Sequence, residues 1–208
     1  MTSRQPQYLA VIDQLLERRS VSPKRLCAPG PTAADIDLIL QAALRAPDHG
    51  GLHPWRVIEF ADTERDQLAA LFEQEKRRRD PLAPDRDLDK AREHATRPPV
   101  LLAFVVSPQG RARVPVREQW LAAGAALCNL LNAAHQLGFG AIMLSGERCF
   151  DAGLARALGV GADEFLAGFL SMGSVIEAPP LKEGVPPALV LSRWVPGAAI
   201  QSDLPKEV

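Results

Sequence analysis

The sequence is poor in several residue types, and each shortage excludes something. Aromatic residues make up only 5% of its 208 residues, with a single tyrosine. There are three cysteines, Cys27, Cys128 and Cys149, too far apart to form a CxxC pair. That spacing argues against a disulfide scaffold or a zinc knuckle. Cys128 falls in an apolar run and reads as a buried free thiol. No uninterrupted apolar stretch is long enough to cross a membrane, and the opening segment MTSRQPQYLAVIDQLLERRS lacks the apolar core of a secretory signal. The expected compartment is therefore reducing and cytoplasmic. Charge of one sign is missing too: Lys plus Arg total 24 against 25 Asp plus Glu, a formal net charge of -1. Nothing general attracts nucleic acid. The one dense basic run, KRRR at 76–79, is flanked by acidic residues and reads as a solvated helix face. Neither a GxGxxG fingerprint nor a GxxxxGK[ST] loop occurs. Ser145 lies in Met-Leu-Ser-Gly-Glu and lacks the first glycine of a nucleophile elbow, which disfavours an acyl hydrolase.

What is present suffices for one domain over 1–208, since 47% of the residues are hydrophobic. LAVIDQLLERR at 9–19 has the spacing of a short amphipathic helix. Thr32, with Asp35 three positions later, marks the start of a helix that Pro47 ends, with Ile36, Ile39, Leu40 and Ala43 facing inward. WRVIEFAD from 55 reads as a strand, and TERDQLAALFEQEKRRR from 63 as a charged helix. The proline-broken, polar stretch from 80 to 97 is expected to be irregular, a mobile lid. PPVLLAFVVSP at 98–108 is the clearest buried strand, continuous enough for a sheet covered on both faces. EQWLAAGAALCNLLNAAHQL at 118–137 is the longest helix, apolar around most of its circumference and so expected to be packed by protein on nearly all sides. Strands are expected at 139–146 and 164–175, and a strand or arm in ALVLSRWVP. The sum is roughly four strands among helices.

Three clusters could carry chemistry. Arg18-Arg19-Ser20 offers two guanidiniums and a hydroxyl for a phosphate; its alternative is a solvated helix end. Arg45-Ala46-Pro47-Asp48-His49-Gly50-Gly51-Leu52-His53-Pro54-Trp55 gathers charged, titratable and glycine positions into one loop. That loop is either a pocket wall or merely a polar loop anchored by Trp55; a zinc site from Asp48, His49 and His53 lacks a fourth ligand. Gly138 to Gly146, GFGAIMLSG, lets the chain run close to a flat ligand, with Met143, Leu144 and Ser145 available to touch it. Asp48 and Glu147 are further acid or base candidates without a visible partner.

Taken in order, these segments resemble the nitroreductase family of flavoproteins, and more closely its compact, single-domain bacterial branch of NAD(P)H nitroreductases. The resemblance rests on ERRSVSPKRL at 17–26, LRAPDHGGLHPW at 44–55, REQWLAAGAAL at 117–127, GFGAIMLSG at 138–146 and GFLSMGS at 168–174, and covers nearly the whole chain. It implies an α+β fold with a central, mainly antiparallel sheet flanked by helices and the long buried helix at a dimer core. It implies a homodimer with FMN at the subunit interface, and ping-pong electron transfer from NADH or NADPH to nitroaromatic, quinone-like or related small-molecule acceptors.

By the same resemblance, Arg18 and Ser20 lie near the ribityl phosphate with Arg19 beside them. Arg45 lies in that region or on the partner's side of it, His49 sits by the flavin edge, and Met143, Leu144 and Ser145 run along the isoalloxazine ring. The chemistry belongs to the flavin, so no catalytic side chain is assigned. The chain departs from the pattern at two places. His53 stands where the family commonly has glutamine, and Met143-Leu144 where close relatives tend to carry Trp-Arg. Both departures bear on how the flavin is tuned and held. Two other functions stay open at this stage: a flavin-dependent dehydrogenase or reductase of one specific metabolite, and a non-catalytic flavin-binding dimeric protein.

Overall fold

The structure, a computed structural model, describes residues 6–110, 113–180, 184–194 and 196–197, with side chains from residue 10 onward. The chain divides into two compact units, Met1–Ala178 and Pro179–Val208.

The first unit is a five-stranded sheet covered by helices on both faces. Its strands are β1 (Leu26–Cys27), β2 (Trp55–Glu59), β3 (Val100–Val106), β4 (Gly140–Leu144) and β5 (Phe165–Val175). The order is β1-β5-β3-β2, with β4 also paired to β5, and every named pair is antiparallel. The helices are α1 (Pro6–Glu17), α2 (Ala33–Ala43), α3 (Arg65–Arg79), α4 (Asp85–Thr96), α5 (Val116–Gln136) and α6 (Ala152–Ala157).

The continuous apolar run of β3 has the cause expected of it. Successive side chains alternate between faces. Leu102, Phe104 and Val106 pack with Ile36, Ile39 and Ala43 of α2 and Ala123, Ala126 and Leu130 of α5. Leu101, Ala103 and Val105 pack on the opposite face with Leu68, Ala69 and Phe72 of α3, Ala95 of α4 and Leu154 of α6. Trp55 stacks on Phe104 with ring centroids 5.6 Å apart, fixing the start of β2 to the centre of the sheet. Thr32 caps α2 as its spacing suggests: Asp35 N donates to the Thr32 hydroxyl, and Thr32 N donates to the Asp35 carboxylate at 2.9 Å.

Close approach needs glycine at Gly173. A Cβ there would stand 2.8 Å from Pro99 Cγ and 3.0 Å from the Cys27 carbonyl oxygen, where β5 meets β1. Gly173→Ala is expected to lower stability by about 1–3 kcal/mol through overpacking. Urea denaturation, read as a fall in midpoint at constant slope, checks this.

Several expectations need correction. Residues 85–96 are a regular helix rather than irregular chain, because Leu88, Ala91 and Ala95 recur at helical spacing and bury one stripe against α3. The run 76–79 is not simply solvated: Lys76 pairs with Asp80, Arg77 with Glu73, Arg78 with Asp151 and Arg79 with Glu75. Cys128 is exposed. It lies on the side of α5 opposite the buried stripe of Gln119, Ala122, Ala123, Ala126, Leu130 and Ala134. Among the described residues α5 is therefore covered on one side only, and Leu121 is 73% exposed. In the second unit the described residues hold one short 3-10 turn, Pro187–Leu189, and no strand.

Candidate functional site

The first and third clusters come together. Arg18, Arg19 and Ser20 follow the end of α1 and run beside β4: Ser20 bridges Ala141 in parallel, and Val21 N donates to the Ala141 carbonyl at 3.0 Å. Gly140 makes this possible, since a Cβ there would stand 3.0 Å from Val21 Cβ and closer still to Leu26 and Val175. Arg19 carries the decisive detail. Its Nη1 is buried and has no hydrogen-bond partner among the described residues. A buried donor without an acceptor costs about 1–3 kcal/mol, more when charged, so the arrangement calls for an acceptor oxygen beyond the described residues.

Along β4 the side chains part company. Met143 turns onto the sheet, where a Cβ on Gly168 would meet its Cε at 2.6 Å, and packs with the core under α5. Leu144, Ser145 and Gly146 are exposed at the end of the strand. Ser145 and Gly146 line two cavities, one of about 920 Å³ and one of about 310 Å³.

The segment after Gly146 is anchored from beneath by a buried charge. Glu75 is fully buried; its Oε1 accepts from Arg79 Nε at 2.7 Å, and its Oε2 lies 4.0 Å from Arg148 Nε. Arg79 also reaches Glu147, at 2.5 Å. Arg148 lies over the Phe72 ring at 4.3 Å and donates to His94 Nδ1 at 3.0 Å. Burial pushes the Arg148 guanidinium below its usual value, and Glu75 opposes that shift. Burial likewise pushes the Cys149 thiol up, which leaves it protonated rather than nucleophilic near neutral pH.

The second cluster forms its own corner. Asp48 organises the loop: its backbone carbonyl accepts from Gly51 N at 3.1 Å, and its carboxylate accepts from His53 N at 2.7 Å. The His53 ring stands 3.5 Å from the same carboxylate. His53 is held at φ 45°, a left-handed conformation that costs a non-glycine residue about 1–3 kcal/mol. His49 meets Glu118 in the first turn of α5, Nδ1 to Oε2 at 2.8 Å, and its side chain is 70% exposed. Buried Gln119 holds the loop before α5 through Gln109 and Val114. Arg45 is exposed just beyond the end of α2, which Asn129 ties to α5 at 3.1 Å. Among the described residues, no hydrogen bond joins this corner to the Arg18–Ser20 and β4 corner.

A further carboxylate locks the sheet edge near the larger cavity. Glu164 accepts from Arg56 Nη2 at 2.6 Å and Nε at 2.8 Å, from Gly161 N, and from the Ser107 hydroxyl. These partners, Arg56 foremost, hold its carboxyl at about 2. A folded-state value below the unfolded one stabilises the fold above about 4.5, and that contribution is lost as pH falls toward 2. Arg56→Met is expected to be less stable than the parent at neutral pH and indistinguishable from it near pH 2. Urea midpoints measured across that window check the sign.

The family model of the Nitroreductase family matches residues 15–174. That span contains the two sheet faces and all three clusters. The chain is a member of the nitroreductase family. A protein of Escherichia coli K12 named "Putative NAD(P)H nitroreductase YdjA" is 32% identical over 166 residues, covering 78% of this chain and 87% of that one. Among solved structures, a nitroreductase-like family protein from Bacillus cereus superposes with a TM-score of 0.76 at 18% identity, covering 95% of this chain and all of that one. A Desulfovibrio desulfuricans structure described as a "putative nitroreductase in complex with FMN" gives a TM-score of 0.68 at 22% identity, covering 93% and 100%. At such identities these two likenesses speak for the fold, the α+β antiparallel sheet flanked by helices.

For a nitroreductase-family chain, two parts of the site had no sequence signal. Glu118 sits 69 positions from His49, so only the folded loop reveals the pair. The buried Glu75–Arg148 contact was equally hidden. Arg19, offered by the sequence for a phosphate together with Arg18 and Ser20, is the residue of the three with a buried donor unmet among the described residues. Among the described residues no helix is long and apolar enough to cross a membrane.

Proposed function

We propose that this nitroreductase-family protein is an FMN-dependent oxidoreductase that draws electrons from NADH or NADPH and delivers them to nitroaromatic, quinone-like or related acceptors. The observation that carries the reading is the buried, unpartnered Nη1 of Arg19 beside the Ser20–Ala141 bridge. An FMN phosphate supplies the missing acceptor, with the Ser20 hydroxyl and Arg18 as further donors. The donor set therefore fits the cofactor named for the Desulfovibrio structure. Bound FMN would supply two-electron redox chemistry in separate half-reactions with donor and acceptor.

The chain's own contribution is binding and placement. The Arg18–Ser20 segment fixes the phosphate end, and the exposed Leu144–Gly146 backbone offers an edge for the ring. His49, its Nδ1 engaged by Glu118, offers an exposed ring to the site. We place the working unit at two chains, with the Arg45–His53 corner of one completing the site of the other. Supporting this, α1 lies against α5, and the two expose Val11, Leu16 and Leu121, an apolar surface that a monomer would leave to water.

The test is direct. The purified protein should be yellow or take up added FMN, NADH or NADPH should bleach it, and a quinone or nitroaromatic should restore the colour. A protein that binds no FMN would overturn the reading. Turnover compared across nitroaromatics, quinones and enones separates a broad reductase from one built for a single metabolite.

A further inference from the structure

The larger cavity, about 920 Å³, opens beside Ser145 and Gly146 and is bounded by α5, α6 and the start of β5. Its volume falls within the range of small-molecule sites. In a chain with 5% aromatics, three of them gather here. Trp120 and Phe165 meet at 5.3 Å with a 57° tilt, and each keeps a large part of its surface open. Phe150 is 89% exposed, a conspicuous position for a phenyl ring on a folded surface.

The charges of this wall are unequal. Its two carboxylates are already neutralised, Asp151 by Arg78 at 2.7 Å and Glu164 by Arg56 at 2.6 Å. Arg156, in the last turn of α6, has no carboxylate within salt-bridge distance among the described residues. The cavity thus combines aromatic faces with one uncompensated guanidinium, a group suited to bidentate pairing with a carboxylate.

We propose that this cavity is the electron-acceptor site and that the acceptor it favours is a flat aromatic carboxylate. Trp120, Phe150 and Phe165 hold the ring and Arg156 pairs with the carboxylate. Ser145 and Gly146 form the side on which electrons arrive. The proposal rests on the oxidoreductase reading above and deepens it.

The experiment uses the flavin-loaded full chain and two kinds of probe. Benzoate, which cannot be reduced, reads binding alone by titration calorimetry. The pair 4-nitrobenzoate and nitrobenzene reads preference during turnover; two electrons from NAD(P)H with two protons convert the nitro group to nitroso and water. Benzoate should bind, Arg156→Ala should weaken it about tenfold, and Arg156→Lys should recover part of the loss. The preference for 4-nitrobenzoate over nitrobenzene in kcat/KM should fall by a similar factor in Arg156→Ala. Phe150→Ala, which alters an exposed side chain and leaves the core intact, should raise KM for both nitro compounds. Benzoate binding that depends on Arg156 without any turnover would uphold the carboxylate-binding cavity and sink both its electron-acceptor role and the oxidoreductase reading. Turnover of both nitro compounds with no benzoate binding, or with a preference indifferent to Arg156, would overturn the site and leave that reading standing.

Discussion

Glu75→Ala should destabilise the protein by about 3–5 kcal/mol, the usual consequence of removing one member of a buried ion pair. Glu75 is fully buried in α3, under the segment that follows β4. Without it Arg148, only 14% exposed in its side chain, keeps the Phe72 face and His94 but loses its one nearby carboxylate among the described residues. Arg79 is better placed to survive, since it retains Glu147 and is a third exposed. The penalty therefore falls mainly on Arg148. Neutralising both sides at once discriminates this account from simple loss of packing: Glu75→Leu with Arg148→Met should recover most of the loss, because no charge is then left in the interior. Thermal unfolding should show a fall of roughly 10 °C for Glu75→Ala, given a few degrees per kcal/mol for a chain of this size. A double variant no more stable than the single would refute the argument. The loss should also reach the site, because Glu147 and Arg148 continue directly from Ser145 and Gly146.

How much of this was legible beforehand depended on whether the signal was local. The continuous apolar run of β3 announced a doubly covered strand, and Thr32 with Asp35 announced a cap, because both are properties of neighbouring residues. The 80–97 segment misled for the same reason. Its prolines at 81 and 84 stand before the helix, and its charged residues hide a three-residue apolar stripe that becomes visible only against α3. Residues Arg18, Arg19 and Ser20 were readable as an anion site, yet their closeness to β4 depends on a bridge to Ala141 across some 120 positions. Cys128 shows the converse error. An apolar neighbourhood in sequence suggested burial, and the described residues of one chain leave that side of α5 bare. What stayed hidden were pairs formed across the fold: His49 with Glu118, and Glu75 with Arg148.

Arg19→Ala should weaken FMN binding by about 10- to 100-fold, the equivalent of one strong charge-assisted hydrogen bond in a desolvated position. The stability of the cofactor-free protein should move the other way or not at all. In the absence of an acceptor, Arg19 Nη1 is a buried donor without a partner, so its removal relieves a cost in the free protein and creates one only in the complex. This opposition of signs is the diagnostic. Thermal unfolding in increasing FMN measures it, because the rise in melting temperature follows the ratio of free cofactor to its dissociation constant. The parent should gain progressively more than Arg19→Ala, starting from a melting temperature no higher. Arg19→Lys should fall between them, since an ammonium restores charge without the planar fork. If Nη1 instead meets a carbonyl of a second copy, the alanine variant will dissociate to monomers at higher protein concentration while its FMN titration stays that of the parent. Loss of stability in the cofactor-free protein with unchanged FMN affinity would remove Arg19 from the phosphate site altogether.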